Sequence, residues 1–183
     1  IERQEGMLFV VAAGNKHRGQ GEDLAFSPLY PAKYGGRHGA NVLTVAAHGR
    51  SGAKAPFSYF SGEFVDLLAP GCGIETRNGD GNTMRDSGTS PAAALVSFAA
   101  SLLKSAGLSD PAAIKMRILA AVDPDETLGE YTWSKGRLNA VKALSLRRDV
   151  IQTADGALHY GILADRSPLI ELCSNSGVDA PGA

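Results

Sequence analysis

Two short segments carry the side chains best suited to chemistry. Ser90 ends the segment Ser87-Gly88-Thr89-Ser90, and Asn15 ends the segment Ala12-Ala13-Gly14-Asn15. A serine hydroxyl can attack a carbonyl group, and a side-chain amide can donate hydrogen bonds to the oxyanion that forms. Each segment alone also has a structural explanation, because serine often caps a helix and Gly-Asn often forms a turn with a positive φ angle. The secondary structure around both segments is needed to choose between these explanations.

Apolar segments predict three strands before Ser90. Residues 7–12 form a continuous apolar run, so we expect a strand buried on both faces of a parallel sheet, followed by the turn that contains Asn15. A second central strand is expected at 41–46, and a short strand at 64–68 ends in turn residues. In an α/β sheet the carboxyl ends of the strands are where ligands bind.

Three helices are predicted after Ser90. Residues 92–103 are small or apolar at every position, which indicates a buried helix. Asp110 and the proline after it predict the N-terminus of an amphipathic helix over about 111–122. A third helix is expected over about 137–146.

The order and spacing of these segments resemble the subtilisin-like serine peptidases. Residues 9–15 and 64–71 align with segments of that family, and the resemblance covers roughly residues 5–145 around Ser90. It implies a doubly wound parallel α/β sheet, of which this chain would contain the C-terminal half. It also implies that Ser90 is the nucleophile, and that the Asn15 side-chain amide and the Ser90 N–H stabilise the oxyanion.

The same resemblance implies a substrate pocket beside the nucleophile. Its expected lining is Ala12, Ala13, Gly14, Lys16, Leu29, Gly88 and Thr89. Lys16 is expected at the rim, where its ammonium would disfavour basic substrate side chains. Leu29 is expected near the floor, where it would make the pocket shallow. The Tyr30-Pro31 bond is expected to be cis, as in the corresponding turn of the family.

A general base for the nucleophile is not found in this sequence. In the family an Asp and a His precede the oxyanion Asn, whereas the only acids before Asn15 are Glu2 and Glu5. The four histidines all follow Asn15, outside any family motif for the base: His17, His38, His48 and His159. We therefore expect the chain to be a cloned fragment or a processed product, with the Asp and His of the triad on an upstream segment.

The composition predicts a globular domain and excludes two functional classes. Of 183 residues, 18 are basic and 19 acidic, giving a formal net charge of −1, which offers no electrostatic basis for binding nucleic acid or a membrane surface. No apolar run approaches the roughly 20 residues that cross a bilayer.

Cys72 and Cys173 are expected to be free thiols. No cofactor is expected; Asp66 lies where some family members hold a weak surface cation, although a strand-end Asp is more often a turn cap.

We divide the chain into residues 1–146, the peptidase part, and 147–183, an extension with a hairpin around Asp155-Gly156 and a frayed end. The leading hypothesis is a serine endopeptidase that cleaves peptides or proteins through an acyl-enzyme. The alternatives are a non-catalytic substrate-binding or interaction module and a peptide ligase or cyclase on the same fold. Secretion is implied by the resemblance.

Overall fold

The computed structural model describes residue 4 and residues 6–145, 148–152 and 158–162. The strands are β1 (Phe9–Ala12), β2 (Val42–His48), β3 (Leu67–Pro70), β4 (Ile74–Arg77), β5 (Thr83–Asp86), β6 (Asp123–Pro124), β7 (Gly136–Arg137), β8 (Arg148–Gln152) and β9 (Leu158–Ile162). The α-helices are α1 (Thr89–Ser105), α2 (Pro111–Ala120) and α3 (Ala140–Ser145). None of the helices described is both long and apolar enough to cross a membrane.

Five strands form the sheet that positions the candidate site, in the order β1-β2-β3-β7-β6. The first four run parallel to one another, and β6 runs antiparallel to β7. Parallel strands end at the same edge of a sheet, so Ala12, His48 and Pro70 all lie at one edge. The predicted strand at 41–46 corresponds to β2, whose residues 42–47 are buried, as expected for a central strand.

Helices cover one face of this sheet and loops cover the other. Buried side chains of β2 and β3 form one apolar cluster with side chains of all three helices. The strands contribute Leu43, Val45 and Leu67, and the helices contribute Val96, Ile118 and Ala143. On the opposite face Leu68 packs against buried residues from loops and short 3-10 helices, including Leu24, Ala32 and Leu128. The α/β fold predicted from the sequence is confirmed.

Two elements are less buried than their sequences predict. All four residues of β1 are half-buried, because among the described residues β1 is paired on one side only. The α1 helix, predicted to be buried all round, exposes one side that includes Ala94, Phe98 and Ser101. Phe98 retains 63% of its accessible surface. The prediction failed for the same reason in both cases: no described element lies against these surfaces.

The second helix forms as predicted, and the third is shorter. Asp110 caps α2, since its Oδ2 accepts a hydrogen bond from the Ala113 N–H at 2.8 Å. The helix predicted over 137–146 begins only at Ala140, because Arg137 belongs to β7 and pairs with Leu68 of β3.

One hairpin was not predicted. β4 and β5 pair antiparallel just before Ser90, and their residues are mostly exposed. The sequence from 75 to 86 is polar and rich in glycine, so it lacks the apolar alternation that identifies strands. β8 and β9 pair antiparallel on either side of the predicted Asp155-Gly156 turn. That turn and the end expected to fray, together with Cys173, lie outside the described residues.

Candidate active site

The loop after β1 places Asn15 at the carboxyl edge of the sheet. Backbone hydrogen bonds fix this loop, from the Ala13 N–H to Val45 O at 2.9 Å and from the Tyr59 N–H to Gly14 O at 3.0 Å. Gly14 has a φ angle of +111°, and a Cβ there would lie 2.5 Å from Leu29 Cδ1. Glycine is therefore required at this position for both its backbone conformation and the close approach of Leu29.

The α1 helix places Ser90 at the same edge. The Gly88 N–H donates to Gly71 O at 2.8 Å, which connects the start of α1 to the end of β3. Ser90 is exposed and lies in the first turn of the helix, where the backbone N–H groups have no intrahelical acceptor. Its N–H is thus placed to bind an external oxygen, at the positive end of the helix dipole.

Thr89 joins the two halves of the site. The Thr89 N–H and the Thr89 hydroxyl both donate to Asn15 Oδ1, at 2.9 and 3.2 Å, and the hydroxyl accepts from the Gly14 N–H at 3.1 Å. With Oδ1 occupied as an acceptor, the Nδ2 group of Asn15 keeps its two donor hydrogens for another partner. The resemblance placed Thr89 among the substrate-binding residues, and that assignment stays a prediction; in the structure Thr89 is buried and its hydroxyl contacts Asn15 and Gly14.

Gly88 lies beside the side-chain amide of Asn15. A Cβ at this position would stand 3.4 Å from Asn15 Nδ2 and 3.5 Å from Pro91 Cδ. Asn15, Gly88 and Ser90 therefore surround one small region in which a carbonyl oxygen could meet two N–H donors. This is the arrangement that stabilises an oxyanion during acyl transfer.

The residues expected at the pocket lie on the adjacent loops. Leu29 lies against Gly14, within the segment predicted to form a pocket wall. The Tyr30-Pro31 bond is cis, so that prediction is confirmed. Lys16 is half-buried and its ammonium pairs with the Glu22 carboxylate, which also accepts a hydrogen bond from Ser27. Glu22, whose charge balances that of Lys16, was not predicted from the sequence.

The described histidines make their contacts elsewhere. His38 lies 3.4 Å from Glu63 on the surface. His48 Nδ1 lies 2.7 Å from Gly49 O, and burial lowers the pKa of this imidazole. His17 is exposed, and the side chain of His159 is not described. Thus no histidine side chain in the described part of the chain has a recorded contact with Ser90.

Asp66 does not act as the turn cap suggested by its sequence position. It is fully buried, and its Oδ2 accepts hydrogen bonds from the Gly36 and Thr44 N–H groups at 3.0 and 2.7 Å. Its Oδ1 lies 2.8 Å from the ammonium of Lys115, which is 3% exposed. Burial raises the pKa of Asp66 to about 6, although Lys115 and the two N–H groups oppose this change.

The positive charge beside Asp66 in this structure is thus a lysine side chain. No group of three or more His, Cys, Asp or Glu residues that could hold a metal ion occurs among the described residues. Lys115 was placed in an amphipathic helix by the sequence, and nothing in the local pattern distinguishes it from a solvent-facing lysine. Cys72, a free thiol, is half-buried, and burial raises the pKa of its thiol.

Comparison with known sequences agrees with this geometry. The family model described as the subtilase family matches residues 1–143. Thermitase of Thermoactinomyces vulgaris is 35% identical over 140 residues, which are 76% of this chain and 45% of thermitase. Alkaline protease 1 of Aspergillus clavatus is 39% identical over 119 residues, covering 63% of this chain and 27% of that protein.

Solved structures with similar folds also match most of this chain and about half of their own length. The A-subunit of the AB5 toxin from E. coli superposes with a TM-score of 0.64 at 27% identity, covering 77% of this chain and 50% of the toxin subunit. The protease domain of PatA gives a TM-score of 0.59 at 30% identity over 79% of this chain and 49% of that domain. The chain spans about half the length of these relatives. With the family model matched over residues 1–143 and the site geometry described above, the chain belongs to the subtilase family.

Proposed function

We propose that this chain is the nucleophile-bearing half of a serine endopeptidase of the subtilisin type. The observation that carries the proposal is the contact between Thr89 and Asn15, which holds a side-chain amide beside Ser90 at the N-terminus of α1. A serine that served only as a helix cap would not need an oriented amide next to it. The relatives named as proteases support the same class of reaction.

The proposed reaction is acyl transfer to water. Ser90 Oγ attacks the scissile carbonyl carbon as its proton passes to an imidazole base, and the carbonyl oxygen becomes an oxyanion bound by Asn15 Nδ2 and the Ser90 N–H. Collapse of this intermediate breaks the C–N bond, and the base gives its proton to the leaving amine. Water then adds to the acyl-enzyme by the same steps and releases the carboxylic acid.

The imidazole base and its Asp are proposed to lie on a separate upstream segment. The edge of β1 that no described strand pairs with and the exposed side of α1 would form the surface to which this segment binds. Between them is a groove of about 310 Å³, lined by residues that include Leu8, Val10, Ala100 and Ser101. An apolar surface with Phe98 63% exposed is expected where another part of a protein packs.

The proposed substrate is a peptide or protein. No nucleic-acid or membrane partner is proposed, and no cofactor enters the reaction. Secretion, which the resemblance implies, remains a prediction for the complete protein.

The test is reconstitution. The 183-residue chain alone should not hydrolyse peptides, because without a base the Ser90 hydroxyl is a poor nucleophile near neutral pH. Coexpression with the upstream part of its reading frame should produce hydrolysis that Ser90→Ala abolishes, while Ser87→Ala, at an exposed serine three residues earlier, retains it.

Three results would contradict the proposal. Hydrolysis by the chain alone, in preparations free of other proteases, would show that its base lies within it. Peptide binding without turnover by the coexpressed protein would favour a non-catalytic module. Transfer of the acyl group to an added amine in preference to water would instead indicate a ligase or cyclase.

A further inference from the structure

The ammonium group of Lys54 contacts three backbone carbonyls of the turn that follows it. Its Nζ donates to the carbonyl oxygens of Ala55 and Ser58 at 3.0 Å each, and to that of Pro56 at 3.4 Å. An ammonium has three N–H donors, so these contacts can use all of them. The Ser58 N–H closes the same turn by donating to Ala55 O at 3.0 Å. Lys54 therefore stabilises one conformation of residues 55–58, which we call the 55–58 turn.

Two aromatic rings hold the Lys54 ammonium beside this turn. Nζ lies 5.1 Å from the centroid of the Phe60 ring and 5.7 Å from that of the Tyr131 ring. A cation within about 6 Å of a ring centroid is attracted to the face of the ring. The two rings meet edge to face, with their centroids 5.2 Å apart. The position of the half-buried Lys54 side chain is thus fixed by its surroundings.

The 55–58 turn leads into the segment that pairs with the backbone around Asn15. The Lys16 N–H donates to Phe57 O at 2.9 Å, and the Tyr59 N–H donates to Gly14 O at 3.0 Å. Both neighbours of Asn15 in the chain are therefore hydrogen-bonded to residues in the turn or next to it. A shift of the turn would move the Asn15 backbone, and with it the amide proposed to bind the oxyanion.

The same turn is attached to β2. The Ala55 N–H donates to Ala47 O at 2.8 Å, and the Ala47 N–H donates to the Ser58 hydroxyl at 2.9 Å. Ser58 is fully buried. The turn thus connects the carboxyl end of β2 to the loop that contains Asn15, and Lys54 binds the carbonyls of three of its four residues.

We propose that Lys54 is a positioning residue for the oxyanion donor, acting through the 55–58 turn on the Asn15 backbone. This inference rests on the proposed peptidase function and adds a residue whose recorded contacts are with the turn and the two rings. Thr89 holds the Asn15 side chain from the direction of α1. Lys54 holds the Asn15 backbone from the direction of β2.

The first experiment separates kcat from KM in the reconstituted enzyme. Lys54→Met keeps an unbranched side chain but removes the ammonium, and it should lower kcat by roughly 2- to 12-fold, the value of one hydrogen bond, with KM little changed. Lys54→Arg keeps the positive charge and N–H donors, so it should restore most of the lost kcat. Lys142→Met is the matched control. It removes a half-buried lysine that contacts a single carbonyl, Val122 O at 3.1 Å, and should leave kcat unchanged.

A double-mutant cycle tests whether Lys54 acts through Asn15. In an Asn15→Ala background, Lys54→Met should change kcat by a factor close to one, because the donor that Lys54 positions is already absent. A general structural effect of Lys54 would instead lower kcat by the same factor in both backgrounds. If Lys54→Met does not fold, Lys54→Gln, which keeps two N–H donors without the charge, replaces it in every measurement.

NMR spectra of the nitrogen-labelled protein supply a measurement that does not depend on activity. The Asn15 side-chain amide signals, assigned by their loss in Asn15→Ala, should shift or broaden in Lys54→Met and stay unchanged in Lys142→Met. Such a change would show that the Lys54 ammonium influences the position of the amide, whether or not the protein turns over peptides.

The inference and the proposed function can fail separately. If wild type hydrolyses peptides through Ser90 but Lys54→Met keeps the wild-type kcat, or loses kcat equally in both backgrounds, Lys54 does not position Asn15. Absence of hydrolysis by the reconstituted wild type contradicts the proposed function, and the NMR comparison then decides the inference. Asn15 amide signals that are the same in wild type and Lys54→Met contradict it.

Discussion

Replacement of Thr89 by valine tests whether the contact with Asn15 orients the oxyanion donor. Valine keeps the shape of threonine but removes the hydroxyl, which donates to Asn15 Oδ1 at 3.2 Å and accepts from the Gly14 N–H at 3.1 Å. The lost hydrogen bond to Asn15 costs about 0.5–1.5 kcal/mol, and the Gly14 N–H left without its acceptor costs about 1–3 kcal/mol. Together they should lower the free energy of unfolding by about 1.5–4.5 kcal/mol and the unfolding midpoint by roughly 3–18 °C.

The effect on catalysis should be smaller than loss of the donor itself. The Thr89 N–H still holds Asn15 Oδ1 at 2.9 Å, so the amide should lose only part of its orientation. In the reconstituted enzyme we expect Thr89→Val to lower kcat by roughly 2- to 12-fold, the value of one hydrogen bond, with KM little changed. Thr89→Ser retains the hydroxyl and is the matched control.

Urea or thermal unfolding of the chain and steady-state kinetics of the reconstituted enzyme supply the two measurements. If Thr89→Val equals Thr89→Ser in both stability and kcat, the hydroxyl does not position Asn15. A change confined to KM would mean that Thr89 contacts substrate, as the sequence suggested.

Three further predictions concern the neighbouring groups. Asn15→Ala in the reconstituted enzyme should lower kcat by about 10²–10³ at nearly constant KM, as removal of one oxyanion donor does in a related enzyme; a loss confined to KM would make Asn15 a binding or turn residue. Glu22→Gln should leave the charge of Lys16 unbalanced. At low salt, the ratio of kcat/KM for a substrate with Glu before the scissile bond to kcat/KM for one with Lys there should then rise by up to about fivefold. An unchanged ratio would mean that the Lys16–Glu22 pair does not select substrates. The pKa of Asp66 is about 6 in the folded chain and near 3.8 in the unfolded chain. Between these pH values the folded chain binds more protons than the unfolded chain, so the free energy of unfolding should fall as pH rises from about 4 to 6. Comparison of the unfolding free energy with that of Asp66→Asn isolates this effect, and parallel curves for the two proteins would contradict it.

The sequence predicted those parts of the fold whose patterns are local. The buried strand β2 is a continuous apolar run, and α2 has both an N-cap, Asp110, and an apolar face. The segments around Asn15 and Ser90 could be identified because their order along the chain is itself informative. Each of these features depends on residues close together in sequence.

Features that depend on distant partners could not be predicted. Lys115 is 49 positions from Asp66, and no periodicity shows that its ammonium reaches the buried Asp66 carboxylate. The pairing of Lys16 with Glu22 depends on the path of the loop between them. Hydropathy likewise cannot show that β1 and α1 each have a side that no other described element covers. The burial of a side chain depends on the elements packed against it, and hydropathy does not identify them.

The most direct test of the central claim is to locate the nucleophile chemically. The chain coexpressed with its upstream segment would be treated with a fluorophosphonate, which forms a stable adduct with an activated serine, and digested for mass spectrometry. We expect one adduct per chain, on Ser90, that disappears in Ser90→Ala and is absent when the 183-residue chain is treated alone. An adduct on a different serine, or peptide hydrolysis that persists in Ser90→Ala, would contradict it.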